Sequence, residues 1–532
     1  NGGSALTDYT IEYSSDSGTT WTTFTDGTST TASTTVTGLS HSTTYTFRIS
    51  AVNAAGTGTT SDTASVATAT TAGTPTSLTG TEGFTEVALS WTAPSSDGGA
   101  TITDYLVEYS SDSGSTWSTF ADGISTTAST TVTGLSHSTT YTFRVSAVNA
   151  VGTGTASDTA NAATRGLTIT QVDGQVYSGN TSVAIDSSGF PIVVGYVSPH
   201  GPNVWSCENA SCTSSHFWRV NSDDDGLYNS IVIGADGNPV IAMYDQDDGN
   251  LRVVACSVAD CENQTTIGGT ILDSTGDVGS YNTIALGADD NPVIAYSDSA
   301  GGTKIAACSN PTCTAATVSG PWEEAQEALY LSIAIGANGN PVISLATEGP
   351  FHFFDGIANL YCSNPTCTEL ESGHGQTRDT GSNPAQYTSL AIGADGNPIT
   401  AYGRRDGEFG LNVQACKSSL CGHPSGYTPT DSTNTLITND LLDQEGQQVL
   451  QLAIGTDDMP VIAFVNSSGN IALAECSVTD CSSDTTITTI DATNHASVPY
   501  SGVSIAIRQS DNARVITYRD SLLLKIAVVE AP

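Results

Sequence analysis

The chain has 532 residues, with 54 acidic against 14 basic side chains and a net charge of −40, so two to four domains are expected. The balance excludes the clustered Lys and Arg that nucleic acid or an anionic membrane surface requires, and no apolar run is long enough to span a bilayer. Such acidity suits a protein kept soluble in salty surroundings, and with no visible leader the chain reads as processed or partial.

From the N-terminus, Thr, Ser, Gly and Val dominate, with turn signals roughly every 8–12 residues, which predicts an all-β region. STTASTTVTGLSHSTTYTFR at 29–48 recurs at 125–144, an offset of 96. SSDSGTTW (14–21) likewise recurs as SSDSGSTW (110–117). The spacing Ser-x-Asp-x-Gly-x-x-Trp resembles the Asp box of sialidases and related propeller glycosidases. Both copies, however, follow the strand patterns DYTIEY and DYLVEY, which predicts a hairpin. Ser and Asp would cap its turn, Gly18 and Gly114 would supply the free backbone, and Trp21 and Trp117 would pack back on the strand.

GLSHSTTYTFRVSAVNAVGTG resembles the fibronectin type III family, with Leu135 and Tyr141 where that family has its tyrosine corner. Trp91 in VALSWTAP matches the family's buried Trp. The resemblance implies two domains, at 1–72 and 73–165. Residue 1 aligns with Asp97, so the first copy lacks the counterpart of Thr74–Ser96, its first two strands. A sandwich without them exposes core and strand edge. Continuation upstream with further modules is the favoured expectation; strands supplied by a neighbouring molecule are the alternative. Near-identical tandem copies read as a spacer array.

From Gly166 the chain repeats at intervals of 48 to 62 residues, with seven anchors such as IGADGNPVIA (233–242) and IGTDDMPVIA (454–463). Each unit reads as strand, Asp/Asn-Gly turn, strand, loop, a third strand ending in Cys, a turn, a second Cys and a Thr/Ile strand. Four short strands at this period predict propeller blades. The last unit stops at its third strand, LLLKIAVVEAP, and GLTITQVDG (166–174) resembles the missing fourth one. The expected fold class is therefore all-β: fibronectin type III sandwiches plus a seven-bladed β-propeller over 166–532, closed by an N-terminal strand.

Twelve cysteines form six C-x4-C pairs: Cys207/Cys212, Cys256/Cys261, Cys308/Cys313, Cys362/Cys367, Cys416/Cys421 and Cys476/Cys481. Zinc needs four converging ligands, and these pairs lie far apart in sequence with no regularly placed His. One local disulfide per repeat is the better account, and it places the protein outside the reducing cytosol.

In propeller topology the variable loops share one face, where binding residues concentrate. The candidate ligand face comprises Trp322, His352, Phe353, Asp355, Arg404 and Arg405, with Phe351 and Phe354 beside them. Such a set could stack on sugar rings, although aromatics that cover the core are the favoured reading. Tyr228, Tyr281, Tyr330 and Tyr387 each stand eleven residues before an anchor Pro, and packing between blades accounts for them as well as ligand stacking does. Acidic residues such as Glu323, Glu324, Asp406 and Glu408 form no glycosidase signature, so no enzyme is expected. Asn221, Asp223, Asp225 and Asn229 in NSDDDGLYN resemble a propeller calcium loop; a solvated acidic loop is the equal alternative, and no cofactor is required. Sequons at Asn180, Asn209, Asn263 and Asn466 mark possible glycosylation.

These features together predict an extracellular, non-enzymatic surface protein, a structural or adhesive component of a filament, stalk or cell coat. Its partners would be further copies, other surface proteins or glycans, with no nucleic acid and no membrane insertion. A lectin-like propeller is the alternative, and a glycan-active enzyme is the third reading.

Overall fold

The computed structural model describes residues 2–83, 85–173, 181–197, 201–220, 227–261, 269–322, 328–347, 356–371, 385–406, 408–418, 432–441, 449–483, 485–492, 502–520 and 523–531. Every regular element among them is a β-strand. The chain divides into two compact units, Asn1–Gly166 and Leu167–Ala531.

Within the first unit the second repeat is a two-sheet sandwich. Thr76–Glu82, Glu86–Thr92 and Ser129–Thr133 form one antiparallel sheet. Ile102–Ser110, Ser118–Phe120, Thr140–Asn149, Gly152–Thr153 and Ala160–Ala163 form the other. Alternation along Glu86–Thr92 turns Val87, Leu89 and Trp91 inward and their polar neighbours outward. These side chains share one core with Val107, Val132, Phe143 and Val145. At the corner the Tyr141 hydroxyl accepts the Ser136 N–H at 3.0 Å, and in the first repeat Tyr45 accepts that of Ser40 at 3.1 Å.

The first repeat has only the second of these sheets, built from Leu6–Ser14, Thr22–Phe24, Thr44–Asn53, Gly56–Thr57 and Ala64–Ala67. Ile49 is 44% exposed, whereas Val145, its counterpart, is at 0%. Residues 33–37 spell STTVT like Ser129–Thr133, yet they form no strand. Alignment predicts two missing strands; three are absent. The third fails because Ser129–Thr133 pairs with Glu86–Thr92, whose counterpart the first repeat lacks. A strand with no ladder partner leaves its N–H and C=O groups to water.

Among its described residues the second unit has seven antiparallel sheets. The first consists of Thr181–Ile185, Pro191–Val197, Gly201–Cys207 and Ser215–Arg219 in chain order. The next five open with Leu227–Ile233, Val278–Leu286, Ala328–Ile335, Ala385–Ile392 and Leu450–Ile454 and repeat that order. The fourth has three strands among the described residues, with a lone bridge between Cys362 and Leu370. In the seventh, Val503–Arg508, Ala513–Asp520 and Leu523–Val529 are completed by Leu167–Asp173, which pairs antiparallel with Leu523–Val529. Second and third strands such as Pro191–Val197 and Gly201–Cys207 are buried along their whole length. Burial of successive residues, whose side chains alternate between the two faces, means that both faces of these sheets are covered.

Side chains of the opening strands bind a sheet to its neighbour at six of the junctions. Ser182 Oγ accepts the Ile231 N–H at 3.3 Å and Ser230 Oγ that of Ile284 at 3.1 Å. Ser332 serves Leu390 and Ser389 serves Leu452, both at 2.9 Å. Gln451 Oε1 serves Ile505 at 2.6 Å. Ser504 Oγ then accepts the Val183 N–H at 3.2 Å, which returns the series from the seventh sheet to the first.

Candidate functional site

The turns between third and fourth strands are stapled. Cys207–Cys212, Cys256–Cys261, Cys308–Cys313, Cys362–Cys367 and Cys476–Cys481 are disulfides with Cα separations of 4.8–5.0 Å. Cys416 is disulfide-bonded as well, and Cys421 lies outside the described residues. Beside two of these turns opens a cleft of about 800 Å³, lined by Asp186, Glu208, His216, Val258 and Asp260. There the Glu208 carboxylate accepts the Ser214 hydroxyl and pairs with His216 Nε2 at 2.6 Å. The Ser214 bond first, then His216, holds its pKa below the ordinary value. Both groups are largely exposed, so the pair is a weak, salt-sensitive contact.

Of the candidate ligand face, Trp322 and Arg404 fall on strands of different sheets, Ala316–Trp322 and Pro398–Asp406. The Trp322 ring packs on the core shared by the third and fourth sheets. Arg405 follows Arg404 on its strand, but its side chain lies outside the described residues, as do His352, Phe353 and Asp355. Of this set, only the Trp322 and Arg404 side chains fall within the described residues.

The four recurrent tyrosines do come together. Ring centroids are 4.4 Å apart for Tyr228–Tyr281, 5.4 Å for Tyr281–Tyr330 and 4.7 Å for Tyr330–Tyr387. Each has a positive φ, between 49° and 56°, at a register shift near the start of its strand. Left-handed backbone at a bulky residue costs about 1–2 kcal/mol, and edge-to-face contacts worth about 0.5–1.5 kcal/mol each offset much of that. Burial first, then Tyr281, pushes the Tyr228 hydroxyl well above its ordinary pKa. The ladder links the second sheet to the fifth.

Two buried polar clusters have no precedent in the sequence motifs. Lys304 Nζ donates to Asp273 at 2.7 Å, and the Tyr296 hydroxyl donates to the same carboxylate at 2.8 Å. At another junction Lys525 and Tyr518 donate to Asp491 at 2.9 and 2.8 Å. Burial alone would raise the Asp273 pKa, but bonds from Lys304, Thr275 and Tyr296 outweigh it and hold the group at about 2. In each cluster the Asp belongs to a fourth strand, and Lys and Tyr to the sheet after it. The recurring tripeptide KIA, at 304–306 and 525–527, is the sequence signal that could have found them.

Of the calcium candidates, Asn229 is buried and its amide has no hydrogen-bond partner; Asn221, Asp223 and Asp225 lie outside the described residues. Among the described residues no group of three or more His, Cys, Asp or Glu side chains could hold a metal ion. Asn209 and Asn466 each accept backbone N–H bonds in turns; Asn180 and Asn263 lie outside the described residues.

In the first unit the SSDSGTTW hairpin closes on itself. Ser14 Oγ donates to Asp16 at 2.6 Å and accepts the Gly18 N–H at 2.8 Å, while Asp16 accepts the Thr20 N–H and hydroxyl. Arg48, paired with Glu12 at 2.8 Å, lies 4.0 Å over the Trp21 ring. The second copy repeats this with Ser110, Asp112, Trp117, Arg144 and Glu108. The fibronectin type III family model matches residues 1–67 and 73–163. This segment consists of fibronectin type III domains.

A crystal structure of titin domains is similar at 24% identity over 29% of this chain and 54% of that one, with a TM-score of 0.20. A crystal structure of the FN1-FN3 domains of chicken CNTN1 is similar at 22% identity, over 31% and 57%, with a TM-score of 0.18. The chain thus spans about half the length of the solved structures it matches. In the fibronectin type III domains the Asp-box spelling is a turn, with Asp16 and Asp112 engaged by their own hairpins.

Proposed function

We propose that this is an extracellular surface protein, fibronectin type III domains followed in the chain by a seven-bladed β-propeller, that joins molecules and catalyses no reaction. The propeller reading is supported by the seven sheets, by the bonds handed from strand to strand, and by Leu167–Asp173 completing the last sheet. Repeated disulfides favour an oxidising location. In this reading no cofactor is needed.

The observation that carries this reading is the tandem pair of near-identical fibronectin type III repeats, whose Asp-box spelling is closed into hairpins within each domain, ahead of sheets stapled by a recurring disulfide. Arrays of this kind serve as spacers that present a head to partners, and further copies of the protein are the partners in this reading.

Analytical ultracentrifugation of the whole protein tests this: copies should associate as concentration rises, and a monomer at every concentration would end the joining role. Turnover of any glycan substrate by the whole protein would overturn the non-enzymatic reading.

A further inference from the structure

The interface between the fourth and fifth sheets departs from the others. In each sheet the second strand turns one set of side chains toward the preceding sheet and the alternate set toward the following one. Between the second and third sheets, the cross-strand pair Ala242–Val253 shares a core with Ile294–Ala306. Between the third and fourth, Ala295–Ile305 does so with Ile343–Leu360. The equivalent positions between the fourth and fifth sheets are the cross-strand pair Ser344–Asn359 and the pair Thr400–Gln414. In the anchors, PVIA has become PVIS on one side and PITA on the other.

Apolar contacts bracket the four polar residues. On one side Val342 and Tyr361 pack on Leu390 and Cys416; on the other Ile357 packs on Tyr402. Ser344–Asn359 lies between these contacts on the fourth sheet, and Thr400–Gln414 between them on the fifth. All four are sealed: exposure is 0% for Ser344 and Thr400, 1% for Asn359 and 2% for Gln414. Ser344 Oγ, Asn359 Oδ1, Thr400 Oγ1 and Gln414 Oε1 are nevertheless buried with no protein hydrogen-bond partner, while the Asn359 amide N–H is directed at the Tyr361 hydroxyl beside it. Four such atoms on facing cross-strand pairs are costly if bare, at about 1–3 kcal/mol each.

We propose that the Ser344, Asn359, Thr400 and Gln414 side chains form an enclosed site for ordered water between the fourth and fifth sheets. The chemistry selects the guest. Every group is neutral and offers both donors and acceptors, so no counter-charge is present for a carboxylate, phosphate or ammonium. A water molecule needs two to four polar partners, which these atoms supply from both sheets. The bound water then does at this junction what Ala, Val, Ile and Leu do at the others.

The quadruple variant Ser344→Ala, Asn359→Val, Thr400→Ile and Gln414→Ala rebuilds the apolar pattern of the neighbouring interfaces and gives a dry control. Oxygen-17 relaxation dispersion on the whole protein should show fewer long-lived internal waters in this variant than in the parent, and a high-resolution crystal structure of the parent should show enclosed water bonded to Asn359 and Gln414. The half-variant Ser344→Ala/Asn359→Val should melt below both, since Thr400 and Gln414 then lose their bridge. Equal water counts, or density showing the four side chains bonded only to one another, would overturn the proposal. So would a melting temperature that follows the exchange of potassium for choline, which would make the guest a cation. If the quadruple variant does not fold, the parent crystal structure decides alone.

Discussion

At the residue scale, the two carboxylates of the Asp-box spelling are firmly engaged although they sit at the surface. Bonds from Ser14 and then Thr20 hold Asp16 at about 2, and Ser110 and Thr116 do the same for Asp112. A carboxylate depressed below its ordinary value of about 4 stabilises the fold above that pH and loses its contribution as pH falls toward its folded pKa. The hairpins should therefore stay closed through mild acid and open only near pH 2. The carboxyl carbon shift of Asp112 gives the midpoint, and a midpoint near 4 would contradict the bonding seen. The buried clusters act by a different rule. Lys304→Met leaves Asp273 and Tyr296 enclosed without their cation, a loss on the order of 3–5 kcal/mol. Chemical denaturation measures it, and Lys304→Arg should recover part of the loss.

At the element scale, each C-x4-C staple closes a very short loop, with a sequence separation of 5 between partners. Loop-closure entropy assigns such a loop about 2 kcal/mol, so Cys308→Ser/Cys313→Ser should weaken the protein measurably without unfolding it. Urea unfolding of that variant against the parent checks this. Much of the element plan was legible: the 96-residue offset, the seven anchors and the Cys spacing all report local chemistry that each repeat carries within itself. What was not legible depends on partners from elsewhere. STTVT is a strand at 129–133 and irregular at 33–37 with the same letters, because a ladder needs a second strand. The Asp of each buried cluster sits one repeat away from its Lys and Tyr, so no single repeat announces it. For the ligand face, His352, Phe353 and Asp355 lie outside the described residues, and spacing alone does not group them with Trp322 or Arg404.

At the scale of the whole molecule, Leu167–Asp173 covers the edge that Leu523–Val529 would otherwise present. A chain beginning after residue 173 should therefore associate through that edge, and size-exclusion chromatography should show it as larger species absent from the parent. The same pairing has a consequence for how the protein is made. Leu167 pairs with Val529, near the other end of the second unit. At about 5–20 residues per second of synthesis, the strand at 167–173 waits on the order of tens of seconds for its mate to leave the ribosome. Meanwhile six sheets emerge in turn, each able to close its own staple. Closure of the seventh sheet thus comes only after six others have left the ribosome, and chaperones that guard exposed strand edges would act on this chain in that interval.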